Sequence, residues 1–273
     1  MTDALPLWPD GIPASGIDPT CSDAERIAFV PTLEPVVVGS PGESRPAVVV
    51  LPGGGYHTHA AHECAPIARW LGGLGFATFV CRYRVAPHLH PAPLRDAERG
   101  IRIVRTRAHE WGVDPQRIGV LGFSAGGHCA ATVSCFGQPG QPEHPDVIER
   151  VSGRPDATVL CYAVISFQPW GRHVGSMANL LGGNPDAALI RQLSLETAVT
   201  EQHPPTFLWS TVDDQVVSVF HSLHYAGALR RNNVPFAMHL YPNGPHGMGL
   251  AEQDSQVGGW KTACGDWFRS LGW

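Results

Sequence analysis

Arg117-Ile118-Gly119-Val120-Leu121-Gly122-Phe123-Ser124-Ala125-Gly126-Gly127-His128 is the stretch whose reading decides the fold. Residues 117–122 are short and apolar, as a buried strand is. From Ala125 to about Cys135 small residues open a helix. Between them stands Gly-x-Ser-x-Gly. A strand-to-helix turn this tight strains its central residue and leaves no room for bulky flanks, so Gly122 and Gly126 are what the turn demands. The turn lifts the Ser124 hydroxyl above the strand, and the helix N-terminus behind it favours negative charge nearby. The plainer alternative is a strand–helix turn in which Ser124 only caps the helix.

The pattern extends in both directions. Ala47–Leu51 is a continuous apolar run that stops at Pro52-Gly53-Gly54-Gly55, which predicts a strand buried on both faces. Residues 62–74 have helical spacing, 76–81 strand character, and 94–111 helical spacing again. Later come strands over 157–165, 207–212 and 235–240 and helices over 219–231 and 257–271. The first forty residues are rich in proline and glycine, with one short strand candidate at Val36–Val38. Alternating strands and helices predict a mostly parallel central sheet flanked by helices, an α/β fold. We expect one domain over 1–273. Residues 166–204 break the rhythm and are expected as a short lid-like insertion over the sheet's carboxyl edge, where sites in such folds lie.

A serine hydroxyl needs a base, and the chain has 14 histidines. In α/β-hydrolases the order is Ser, then Asp or Glu, then His. His246 fits: Asn243-Gly244-Pro245-His246-Gly247-Met248-Gly249 follows the last strand and precedes the final helix. His239 falls inside a strand, His203 before Pro204, and His128 within the elbow helix, where packing or local capping is the expected role. The acid falls in Asp213-Asp214, at the end of a strand. Asp214 is the better candidate, because the turn is complete there and Val217 follows at the usual offset, with the other aspartate holding the turn. For the oxyanion, Ala125 supplies one backbone amide and Gly54 and Gly55 the others, since glycines after a buried strand let backbone approach a substrate. Gly-x-Gly-x-x-Gly and Gly-Lys-Ser/Thr are absent, which argues against a phosphate loop. Tyr56, Trp170 and His173 are candidates for the substrate pocket. His57, His59 and His62 have ligand-like spacing but no acidic or cysteine partner in register, so no metal and no cofactor is expected.

The 273 residues carry 19 Lys and Arg against 24 Asp and Glu, a formal net charge of −5, without a basic run. That disfavours nucleic acid as a partner. No apolar stretch is long enough to span a membrane, so none is expected as a partner. Hydrophobic residues at 43% and charged residues at 16% fit a globular chain rather than a disordered one. Met1–Pro6 lacks the basic region and apolar core of a signal peptide. Seven cysteines, an odd number without Cys-x-x-Cys, are expected as reduced core thiols in a cytoplasmic protein.

With these residues assembled, the chain resembles the α/β-hydrolase acetyl esterases related to the hormone-sensitive-lipase and acetyl-xylan-esterase groups. The marks are Leu7-Trp8-Pro9-Asp10-Gly11, Pro52-Gly53-Gly54-Gly55-Tyr56, Tyr83-Arg84-Val85-Ala86-Pro87, Asp96-Ala97, the Ser124 elbow, and the Asp214 and His246 segments. Pro52 stands where the lipase group usually has histidine, which points toward the xylan-type esterases. The resemblance implies a serine carboxylesterase whose partner is a small-molecule ester, with acetylated xylo-oligosaccharides as the expected class. Two other functions stay open: cleavage of an amide on the same triad, as by a formamidase or peptidase, and non-catalytic ligand binding.

Overall fold

A computed structural model describes residues 4–13 and 29–273. In chain order the strands are β1 (Leu5–Pro6), β2 (Thr32–Val37), β3 (Arg45–Leu51), β4 (Ala77–Arg82), β5 (Val113–Phe123), β6 (Ala157–Cys161), β7 (Thr206–Thr211) and β8 (Phe236–Tyr241). The α-helices are α1 (Ala65–Gly73), α2 (Ala92–Thr106), α3 (Ser124–Phe136), α4 (Val174–Leu181), α5 (Ala187–Gln192), α6 (Phe220–Arg231) and α7 (Trp260–Ser270). One sheet runs in the order β1-β2-β4-β3-β5-β6-β7-β8. The β1–β2 and β2–β4 pairs are antiparallel, and every pair from β4–β3 to β7–β8 is parallel.

The period-2 alternation of side chains divides each central strand between two cores. Val49 and Leu51 of β3 join one cluster with Ile101 and Val104 of α2, Val133 of α3 and Leu229 of α6. Val48 and Val50 join the other with Ile67 and Leu71 of α1 and Trp260 and Phe268 of α7. Both faces are therefore covered, which is why β3 is a run of valines rather than an alternation. Each fully buried aliphatic side chain of this kind stabilises the fold by roughly 2 kcal/mol relative to exposure.

Several boundaries differ from expectation for local reasons. β2 begins at Thr32 rather than Val36, and β1 was not expected; β1 is a two-residue edge strand and β2 lies beside it, and both contain proline, a residue that weakens strand signals. β5 extends back to Val113 through a register shift opposite Arg45 and Ala47, and the bulge admits Pro115 and polar residues that resemble a loop. β6 stops at Cys161 because Tyr162 takes φ +37°; the apolar residues 163–165 are buried without being in the sheet. α1 starts at Ala65, after a 3-10 turn at Ala61–Glu63, and α2 ends at Thr106. The 166–204 stretch is not irregular throughout: it carries α4, α5 and a 3-10 turn at Leu195–Thr197.

Three of the separated sequence marks meet in one buried polar knot. The Arg84 backbone N–H and guanidinium Nε both donate to Asp96 Oδ2 at 2.8 Å, and Nη2 donates to Oδ1 at 2.8 Å. Trp8 Nε1–H donates to the same Oδ1 at 2.7 Å. Asp96 and Arg84 are almost wholly buried, so each depends on the other for its charge. The knot fixes the chain that leaves β4, and Ala86 N–H then donates to Tyr56 O at 2.8 Å, beneath the glycine-rich loop. No helix among the described residues is long and apolar enough to cross a membrane. Six described cysteines are free thiols, all buried except the half-buried Cys135; Cys21 lies outside the described residues.

Candidate active site

Ser124 is the first residue of α3 and takes φ +49°, a left-handed conformation that an L side chain adopts at a cost on the order of 1–3 kcal/mol. Its neighbours explain why the turn holds. A Cβ on Gly126 would lie 2.2 Å from Leu51 O, so only glycine lets α3 approach the end of β3 this closely. Val164 N–H donates to Ser124 O at 3.0 Å and ties the elbow to the chain leaving β6.

His246 Nδ1 lies 2.7 Å from Asp214 Oδ2, and its Nε2 lies 2.8 Å from Ser124 Oγ. A carboxylate only accepts, so Nδ1 carries the hydrogen and Nε2 presents its lone pair to the serine hydroxyl. Asp214, rather than Asp213, is the carboxylate on the imidazole. Its Oδ1 accepts from the backbone N–H groups of Val216 at 2.8 Å and Val217 at 2.9 Å. Burial pushes the Asp214 carboxyl up, but the His246 bond and the two amides outweigh it and hold it below the usual aspartate value. Asp213 works on the loop instead: its Oδ1 accepts Gly244 N–H at 2.8 Å, while Thr211 Oγ1 donates to Gly244 O at 2.8 Å. The carboxyl end of β7 and the histidine loop are thus joined.

The Pro52–Ala60 turn faces the elbow. Gly54 has φ +131° and a Cβ there would lie 2.1 Å from Thr58 O, so this glycine is required by both backbone and space. The Gly54 and Gly55 amides have no acceptor among the described residues. The Ala125 amide is in the first turn of α3, where no intrahelical acceptor exists. Tyr83 O–H donates to Pro52 O at 2.6 Å, and Asn179 Nδ2–H from α4 donates to Gly55 O at 2.8 Å.

Tyr56 was expected in the substrate pocket, and the structure corrects this. It is 2% exposed, with its hydroxyl 2.9 Å from His128 Nδ1. His128 Nε2–H donates to Leu193 O at 2.9 Å, so Nδ1 accepts the Tyr56 hydroxyl hydrogen. Burial pushes the His128 pKa down to about 3, keeping this neutral tautomer. The tyrosine follows the glycines and turns inward at φ +58°, where it supports the loop from below. His173 is half-buried and caps α4, its Nδ1 accepting Ser176 N–H at 3.2 Å. Burial, followed by the charge of nearby His246, lowers its pKa. Trp170 is 41% exposed and stacked on His224 of α6, with ring centroids 4.1 Å apart.

The other histidines divide among unrelated tasks. His239 stacks on Phe207 at 5.2 Å, and His203 Nε2 accepts Tyr225 O–H at 2.8 Å. His57 is exposed, His59 packs edge-on to Tyr83 at 4.8 Å, and His62 Nε2–H donates to Gly247 O at 2.9 Å. The sequence reading missed Glu63. Its side chain is 3% exposed, and it accepts Gly53 N–H at 2.7 Å and Tyr162 O–H at 2.7 Å. Just ahead of α1, a glutamate reads as an ordinary first-turn acid. Its one distinguishing signal is its place between the glycine loop and an apolar helix.

A mostly parallel sheet that presents an elbow serine, a later aspartate and a still later histidine at its carboxyl edge is the α/β-hydrolase fold. Residues 39–229 match the BD-FAE family, and the chain belongs to that family. It is 34% identical over 220 residues to endo-1,4-beta-xylanase B of Butyrivibrio fibrisolvens, covering 79% of this chain and 34% of that protein. It is 33% identical over 230 residues to an acetylxylan esterase of Xylanibacter ruminicola, covering 82% and 45%. The chain therefore spans less than half the length of these two curated relatives. A crystal structure of an acetyl ester-xyloside bifunctional hydrolase from Caldicellulosiruptor lactoaceticus superimposes with a TM-score of 0.92 at 45% identity, covering 99% of this chain and 96% of that one.

Proposed function

We propose that this protein is a serine carboxylesterase that removes acetyl groups from carbohydrates such as acetylated xylo-oligosaccharides. The observation that carries the proposal is the continuous line from Asp214 through His246 to Ser124, at 2.7 and 2.8 Å. In the first half-reaction His246 Nε2 takes the Ser124 proton as Oγ attacks the ester carbonyl carbon. The amides of Gly54, Gly55 and Ala125 hold the resulting oxyanion. The carbonyl re-forms, the sugar oxygen leaves with the proton returned by His246, and an acetyl-serine remains. Water, deprotonated by the same imidazole, attacks the acyl carbon and releases acetate, restoring Ser124. Asp214 keeps the imidazole in the required tautomer and stabilises its cation.

The substrate class rests on the relatives, whose names join acetyl esters to xylan and xylosides. Trp170 and His173 belong to the sugar side in this proposal: the Trp170 ring is 41% exposed, and aromatic rings suit the apolar face of a pyranose. The 166–204 segment serves as a cover within a single domain, supported by the bonds that Asn179 Nδ2–H donates to Gly55 O and that Leu180 O accepts from His90 N–H. A cytoplasmic location is supported by the free thiols.

The test is a panel of acyl esters, including acetylated xylo-oligosaccharides, on the wild type and on Ser124→Ala. Acetyl should be strongly preferred, and the variant should lose about 10⁴-fold or more in kcat. An active Ser124→Ala would end the proposal; a preference for long acyl chains would leave the triad and remove the substrate class.

A further inference from the structure

Glu63 is a carboxylate buried within the site and outside the chemistry just described. Among the described residues, His62 stands beside it as an ion-pair neighbour, at 3.6 Å. A carboxylate this deep is tolerated only when its oxygens are hydrogen-bonded, and both are. Oε2 accepts the N–H of Gly53, the residue before the two oxyanion glycines, at 2.7 Å. Oε1 accepts the Tyr162 hydroxyl at 2.7 Å. That hydroxyl in turn accepts the N–H of Gly249, three residues past His246, at 2.9 Å. Gly249 O is held by Trp260 Nε1–H at 3.1 Å. The Tyr162 ring also stands edge-on to the His246 imidazole, with centroids 5.0 Å apart at 70°.

One side chain thus reaches two loops that are about 190 residues apart in sequence and that flank the same serine. We propose that Glu63 is a positioning residue that sets the oxyanion loop and the histidine loop in register with each other, through Gly53 on one side and Tyr162 and Gly249 on the other. The chemistry favours a carboxylate specifically. Both partners donate, so a group that only accepts satisfies both. An amide must turn its NH₂ toward one of them, and an aspartate is one methylene too short to reach both. The inference rests on the esterase proposal, because the loops matter to turnover only if Ser124 does.

The experiment measures kcat and KM for p-nitrophenyl acetate on the full chain of Glu63→Gln, Glu63→Ala and Tyr162→Phe, with Ser124→Ala as control. Thermal unfolding monitors folding of each variant. A displacement on the order of 1 Å in a catalytic group costs about 100-fold, the loss expected in kcat for Glu63→Ala. Glu63→Gln, which keeps one of the two links, should recover about ten-fold of that loss, and Tyr162→Phe should lose about ten-fold. KM should stay within about three-fold throughout, since neither residue is placed against the substrate. The double variant Glu63→Gln/Tyr162→Phe should lose less than the product of the single losses, because both act on one link. If Glu63→Ala does not fold, the Gln and Phe variants decide the matter. Full kcat in both, or a loss confined to KM, overturns the positioning role. An active Ser124→Ala would instead bring down the esterase proposal itself, so the two failures are told apart.

Discussion

The Pro52–Ala60 turn and the 166–174 segment both border Ser124's end of the sheet, but they are held in opposite ways. In the first, the backbone is tied from several directions: by Glu63, by the Tyr83 hydroxyl, by Ala86 N–H and by Asn179. Its largest side chain, Tyr56, points inward to His128. In the second, the backbone is anchored at its base, where Phe167 N–H donates to Ser194 Oγ at 3.1 Å and His221 Nε2–H donates to Gly171 O at 2.6 Å. Beyond the buried Phe167, side chains are left outside: Trp170 and Val174 are 41% and 58% exposed. Under the proposed function, stabilising a transient charge requires dipoles that do not reorganise, which the fixed backbone of the first region supplies. Recognising an alcohol group requires a surface, which on the same proposal the side chains of the second supply. The first should be intolerant of change and the second adjustable.

The largest effect that would break this contrast is at Gly54. Glycine-to-alanine there places a methyl within 2.1 Å of Thr58 O at a φ of +131°. We expect Gly54→Ala to lose about 100-fold or more in kcat on any acetyl ester, measured by steady-state kinetics with the fold checked by circular dichroism. Near-normal turnover would show that the held turn does not supply the oxyanion donors.

A smaller effect comes from pH. Burial holds His128 at about 3 and His59, His90, His203 and His221 at about 4, against 6.5 for a free imidazole. Below about pH 6.5 the unfolded chain takes up protons on these histidines and the folded chain does not. Their contribution is therefore fully present above pH 6.5 and is lost progressively toward pH 4. Each costs at most about 1.4 kcal/mol per pH unit in that window. His128 lies directly beneath the turn, so acid loosens the fixed region from below. Thermal unfolding from pH 7.5 to 4 should show a falling midpoint; a flat profile would mean that these imidazoles are not held neutral.

The smallest expected change is at Trp170. Trp170→Ala should raise KM for an acetylated xylo-oligosaccharide by about 3- to 10-fold, the range of one aromatic contact, and leave p-nitrophenyl acetate within about two-fold. An equal loss on both substrates would erase the distinction between the two regions.

Much of this arrangement was legible in the sequence, for reasons that differ from part to part. The valine run of β3 and the small residues of the elbow have covalent requirements of their own: a strand covered on both faces must be apolar, and a turn at φ +49° needs glycine beside it. The Ser, Asp, His order is the one that α/β-hydrolases follow. β1 and β2 were hard to see because proline interrupts both and β1 is only two residues long. Tyr56 follows the glycine run in sequence, but its direction depends on His128, which lies 72 residues on. Asp213 and Asp214 carry the same chemistry one residue apart, and only the place where Gly244 and His246 return decides which carboxylate meets which.

By itself, then, the sequence determined what is local: periodicity, backbone strain, and the types of residue a serine-based acyl transfer needs. Only the tertiary structure decided what depends on convergence. Glu63 is marked in the chain only by its place between the glycine loop and an apolar helix, because what sets it apart is two donors supplied by residues 53 and 162. A hydrogen bond is a relation between positions in space, and a residue's composition and neighbours in sequence do not record where its partner will arrive.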